Sequence, residues 1–140
     1  MLFKMTHPAI DFCIVCSNLE ESLHFYRDVL ELEVVVDVVV PGDFARGIGL
    51  APREFRQVRL QAGYTLIKLM GIESPPPAPP DTFAAGVRWL TVSVEDIEQT
   101  VGDLKAKGVE FLSEPMTAPD AAGVVCTKDP DGILIEFVQI

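Results

Sequence analysis

Ser17-Asn18-Leu19-Glu20 and Glu95-Asp96-Ile97-Glu98 stand 78 positions apart, each directly after an apolar run and directly before an amphipathic one. That internal repeat organises the whole chain. In the first copy Asn18 reads as a helix N-cap, and Glu21 three residues on completes a capping-box pattern. Leu19, Leu23, Phe25, Tyr26, Val29 and Leu30 recur at roughly helical spacing, which predicts a helix over 19–30. Residues 11–16 ahead of it are rich in β-branched and apolar side chains and read as a strand. Beyond the helix, residues 34–40, 54–61 and 65–70 are expected to be strands, with a turn at Ala62-Gly63-Tyr64. Residues 41–53 hold three glycines and two prolines, so a loop is expected there.

The second copy repeats the order. Residues 89–94 read as a strand and 96–107 as a helix with Ile97, Val101 and Leu104 on one face. Gly108 sits where a helix C-terminal glycine belongs. Strands are expected over 109–112, 123–128 and 133–139, the last two joined by the turn Asp129-Pro130-Asp131-Gly132. Between the copies lies Ser74-Pro75-Pro76-Pro77-Ala78-Pro79-Pro80-Asp81, whose prolines favour a stiff, extended segment without internal hydrogen bonds. The expected organisation is α+β: a βαβββ module over 8–72, a Pro-rich linker over 73–86 and a second βαβββ module over 87–140. One helix for four strands leaves much of each sheet uncovered, so the modules are expected to pack together.

Bulk properties narrow the function. Of 140 residues, 49% are hydrophobic and 23% charged, enough apolar material for a real core. Acidic residues outnumber basic ones 21 to 11, for a net charge of −10. A phosphate backbone or an anionic membrane surface repels such a chain, so neither nucleic acid nor membrane is an expected partner. No apolar run approaches the roughly 20 residues that span a bilayer. Residues 1–9 carry one lysine and no apolar core, so a secretory signal is not expected and a cytoplasmic location is. Cys13, Cys16 and Cys126 are expected to be free thiols. Cys13 and Cys16 are three apart on a strand, hence on opposite faces, which suits neither a shared metal nor a disulfide.

Three stretches carry a family resemblance. Residues 17–30, Ser-Asn-Leu-Glu-Glu-Ser-Leu-His-Phe-Tyr-Arg-Asp-Val-Leu, resemble the first helix of the vicinal oxygen chelate superfamily, which includes glyoxalase I, bleomycin-resistance proteins and extradiol dioxygenases. Val94 to Ile97, with the exit Ala106-Lys107-Gly108-Val109-Glu110-Phe111, looks like its second helix. Asp129-Pro130-Asp131-Gly132-Ile133-Leu134-Ile135-Glu136-Phe137 is similar to its last hairpin. Glu31 departs from the glycine usual after the first helix. The resemblance implies two βαβββ modules forming a half-barrel cleft, with a homodimer as the default assembly. It also implies a divalent metal held by a His on each first strand, seven residues before the helix cap, and by Glu or His on each fourth strand.

Those positions are altered in this chain. Asp11 and Trp89 stand in place of the two histidines and Lys68 in place of one fourth-strand ligand, while Glu136 remains. His7 and His24 fall at no ligand position. An ammonium opposes a bound cation and an indole does not ligate one, so no metal and no cofactor is expected. Asp11, Lys68 and Glu136 are expected to converge, the lysine neutralising carboxylates that a metal otherwise balances, with Lys68 on one strand face with Leu66 and Met70. Trp89 offers a flat face for stacking. Trp89, Phe44, Arg46 and Cys13 are the expected ligand-binding residues. Arg53 is another cation that could grip an anionic substituent, and of Arg56 and Arg59 at most one faces the cleft. The leading expectation is metal-free binding of a small planar or aromatic molecule. The alternative is a lyase or isomerase with Glu136 or Asp11 as general base and Lys68 stabilising negative charge.

Overall fold

A computed structural model describes residues 1–80 and 82–140; Asp81, at the end of the Pro-rich stretch, lies outside the described residues. The chain divides into two compact units, Met1–Pro77 and Ala78–Ile140.

The first unit runs β1 (Phe12–Val15), α1 (Leu19–Leu23), a π-helical continuation of that helix (His24–Val29), β2 (Glu33–Val40), α2 (Gly42–Ile48), β3 (Phe55–Ala62) and β4 (Thr65–Ile72). Its sheet has the order β1-β4-β3-β2. The β1–β4 pair is parallel and the others antiparallel. Asn18 caps α1 as expected, its Oδ1 accepting from the Glu21 N–H at 3.2 Å. Beyond Leu23 the helix widens to i→i+5 bonding, closed by the Leu30 N–H donating to the Phe25 carbonyl at 2.9 Å. Phe25, Tyr26 and Val29 are buried within the widened stretch.

One face of this sheet meets the helix. Ile14, Leu69 and Val58 form one buried cross-strand row and Ile67 and Leu60 the next. Gly71 lies on the same face, so close to α1 that a Cβ there would sit 2.4 Å from Leu19 Cδ2. The opposite face, on which α2 is seated through Ala45 at Phe55 and Met70, carries Cys13, Lys68, Arg59 and Val36 in one row, and Val15, Met70, Gln57 and Val38 in the next.

The second unit repeats the plan: β5 (Trp89–Ser93), α3 (Ile97–Ala106), β6 (Met116–Ala118), β7 (Ala121–Lys128) and β8 (Leu134–Gln139), in the order β5-β8-β7-β6. Asp96 Oδ1 accepts from the Gln99 N–H at 3.0 Å, and Gly108 has the left-handed φ of 89° expected after a helix. In the final turn, Asp129 Oδ1 accepts from the N–H groups of Asp131 and Ile133, both at 2.9 Å. Neither sheet closes on itself: β1 and β2 are the edges of the first, β5 and β6 those of the second.

Two expectations are corrected. The stretch expected to be a loop contains α2, because Ala45 is fully buried against Phe55 and Met70 and that packing outweighs the poor helix propensity of Gly42 and Gly47. Gly49, at φ 82°, ends it. The strand expected over 109–112 is reduced to one bridge, Phe111 to Thr127, and β6 forms later, over Met116–Ala118.

Candidate functional site

In both units the polar groups of interest lie on the sheet face opposite the helix that follows the unit's first strand. In the first, Asp11 immediately precedes β1, where its Oδ1 accepts from the Leu66 N–H at 2.8 Å. That bond pins the carboxylate to the edge of β4. Its Oδ2 is 4.0 Å from the Lys68 ammonium, with side-chain exposures of 30% and 27%. The pair is an ion pair without a hydrogen bond, at the outer limit of the range. Lys68 stands directly between Cys13 on β1 and Arg59 on β3. Cys13 is exposed as a residue, yet desolvation at its sulfur outweighs the pull of the Lys68 ammonium and raises the thiol, which keeps it neutral. Arg59 Nε donates to Gln57 Oε1 at 2.5 Å.

In the second unit Trp89 is half exposed, at 52%. Its indole N–H donates to Thr91 Oγ1 at 3.1 Å, and the Thr91 hydroxyl donates to Glu136 Oε1 at 2.8 Å. Thr91 and Cys126 flank Glu136 on the neighbouring strands. Burial and the adjacent Glu136 carboxylate both push the Cys126 thiol up.

The repeat is visible in these rows. Cys13 and Thr91 are 78 positions apart, as are Asp11 and Trp89. Cys13 opposes Lys68 and Thr91 opposes Glu136, so Lys68 and Glu136 hold equivalent places in their sheets. Asp11 and Lys68 belong to the first unit and Glu136 to the second. Each charged group finds a partner within its own unit.

The remaining candidates are scattered over the first unit. Phe44 is exposed on α2, and Arg46 on the same helix is tied to Asp43 at 2.5 Å. Arg53 donates to the carbonyls of Glu73 and Ser74. Arg56 grips Asp37 at 2.7 Å and reaches Glu20 at 3.4 Å. Of Arg56 and Arg59, it is Arg59 that shares a face with Lys68. His24 is bound to Asp28 at the surface, and His7 to the Tyr64 carbonyl. Thr91 and Gln57 are not among the residues expected from the sequence, which leaves open the choice between Arg56 and Arg59. Strand parity, counted from Trp89 for Thr91 and across from Lys68 for Arg59, is the signal that finds them.

The donor set does not fit a divalent metal. Lys68 contributes a cation, the Trp89 nitrogen spends its proton on Thr91, and one Asp11 oxygen is taken by backbone. Among the described residues no group of three or more His, Cys, Asp or Glu is placed to hold one.

The sequence pattern of the Glyoxalase/Bleomycin resistance protein/Dioxygenase superfamily matches residues 5–137. The chain belongs to that superfamily. The uncharacterized protein YwkD of Bacillus subtilis (strain 168) is 28% identical over 141 residues, covering 99% of each chain. A glyoxalase family protein from Bacillus cereus has the same fold at a TM-score of 0.76 and 21% identity, covering 98% of this chain and 95% of that one. TnmS3, an antibiotic binding protein from Streptomyces sp. CB03234, superposes with a TM-score of 0.67 at 21% identity over 97% and 98% of the two chains. The two βαβββ-type units are those of the superfamily fold. Among the described residues no helix is long and apolar enough to cross a membrane.

Proposed function

We propose that this chain is a metal-free binding protein for a small planar or aromatic molecule, with Trp89 as the stacking surface. One observation carries the reading. A half-exposed indole stands on a helix-free sheet face, its N–H bonded to Thr91 and Thr91 in turn to Glu136. Such a bond fixes the ring plane and leaves its π face for a ligand. Thr91 and Glu136 then supply the polar contacts that orient it. The altered donor positions support the metal-free part, and the antibiotic-binding description of TnmS3 supports small-molecule binding on this fold. In the same reading the protein is cytoplasmic, and a homodimer is the assembly that the superfamily resemblance implies.

Trp89 is the only tryptophan, so intrinsic fluorescence reports on it directly. Planar aromatic compounds are expected to quench it saturably, and Trp89→Ala to lower their affinity by about tenfold, equivalent to roughly 1.4 kcal/mol. A panel that leaves the emission unchanged, or a Trp89→Ala protein that binds as tightly, ends the proposal. Elemental analysis after growth with added zinc, iron and nickel should find far less than about one metal per chain. Turnover of a bound compound, lost in Glu136→Gln, would instead favour the lyase or isomerase alternative.

A further inference from the structure

Four arginines of the first unit were candidates for gripping an anion, and three are already engaged. Arg46 is paired with Asp43, Arg53 with two backbone carbonyls, and Arg56 with Asp37 and Glu20. Arg59 differs. Its single hydrogen bond among the described residues goes from Nε to the neutral amide of Gln57, and it forms no ion pair. The residue is half buried, and among the described residues its Nη1 and Nη2 groups have no acceptor. Directly across the strand pair lies Lys68, also half buried, whose ammonium touches Asp11 only at 4.0 Å and donates no hydrogen bond to a described residue. Donors of a charged group that are open to solvent and spent on no protein acceptor are available to a ligand, and charge-assisted hydrogen bonds to them are among the stronger ones.

We propose that the face of the first sheet opposite α1 binds an organic monocarboxylate, held by Arg59 and Lys68. The charge count selects a single negative charge. Two cations stand against one carboxylate, Asp11, while Cys13 beside Lys68 stays a neutral thiol. Glu33, one row away opposite Gln61, is exposed at the sheet edge and pairs with neither cation. A monoanion balances this face, whereas a dianionic phosphate meets Asp11 as a second repelling charge. Geometry points the same way, since the planar fork of an arginine matches the two oxygens of a carboxylate. Val36 and Val38, next to Arg59 and Gln57, with Leu66 along β4, give the rest of the ligand an apolar surface. This goes beyond the stacking role of Trp89 and does not require it.

Benzoate and 2-naphthoate, with benzamide and inorganic phosphate as controls, separate the possibilities in an NMR titration of the backbone amides. The carboxylates are expected to shift Cys13, Arg59 and Lys68 saturably, with benzamide and phosphate leaving them in place. Arg59→Gln and Lys68→Gln should each weaken benzoate about tenfold, and Arg59→Lys less than Arg59→Gln. The inference is overturned if neither carboxylate moves these amides at millimolar concentration, if benzamide moves them equally, or if phosphate binds more tightly. Unchanged benzoate affinity in a folded Lys68→Gln or Arg59→Gln protein overturns it as well. Quenching of Trp89 by neutral aromatics is read separately, so this inference and the proposed function fail by different signals.

Discussion

At Glu31, directly after the first helix, the backbone is left-handed, with φ of 60°. The superfamily pattern has glycine there, and the departure is local strain on a side chain that rarely adopts this region. An L-residue in that conformation costs about 1–2 kcal/mol, partly offset by the larger unfolded-state freedom of glycine. Glu31→Gly is therefore expected to stabilise the protein by about 0.5–1 kcal/mol in urea denaturation; a loss of stability would show that the Glu31 side chain outweighs the strain. Lys68 and Asp11 call for a smaller number. At 4.0 Å, without a hydrogen bond and with nearly a third of each side chain in solvent, the pair should couple by only about 0.5 kcal/mol in a Lys68→Met, Asp11→Asn cycle. The coupling should shrink with added salt; a value of several kcal/mol would mean a buried, dry pair. Of the candidate residues, Asp11, Trp89 and Glu136 were readable as strand positions because short motifs fix their distance from helix caps and turns. The parts of Thr91 and Arg59 were not readable, because a hydroxyl relay and an unspent guanidinium depend on what stands across the strand.

The helices owe their seats to two glycines. Gly71 on β4 lies under Leu19, and Gly123 on β7 lies under Ile97, where a Cβ would meet the side chain at 2.4 and 2.8 Å. Leu19 and Ile97 each open the helix of their unit, 78 positions apart. Added methyl groups would push each helix off its sheet, so Gly71→Ala and Gly123→Ala should each cost about 1–3 kcal/mol. Alanine substitutions that shift the denaturation midpoint by nothing measurable would show that the helices can slide. The caps Asn18 and Asp96 were readable because capping is a local event between a side chain and a nearby N–H. The helix α2 was hidden for the opposite reason, being held by contacts from Ala45 to Phe55 and Met70. The widened stretch His24–Val29 was read as ordinary helix, because side-chain spacing alone does not separate i→i+4 from i→i+5 bonding. The 109–112 run is apolar enough for a strand, but only Phe111 finds a partner.

For the molecule as a whole, the repeat did most to make the fold readable. Both units carry the same strand order, and both place a parallel pair between their first and last strands. The chain divides between Pro77 and Ala78, within the stretch 73–86 proposed as a linker between modules over 8–72 and 87–140. What composition cannot express is how each unit settles its own polar groups. Within its own unit Lys68 turns to Asp11, and within the other Glu136 is bonded by Thr91. In a protein of net charge −10, the row of Arg59 and Lys68 sets two cations against the single carboxylate of Asp11.

The placement of the aromatic residues has an optical consequence. Both tyrosines, Tyr26 in the helix core and Tyr64 in the β3–β4 turn, belong to the first unit, and the single tryptophan to the second. Near-ultraviolet dichroism of the buried Tyr26 and emission from Trp89 thus follow the melting of different halves. If the halves unfold as one cooperative body, the two denaturation curves superimpose at every denaturant concentration. Separated midpoints would mean that a protein built by repetition also comes apart by halves.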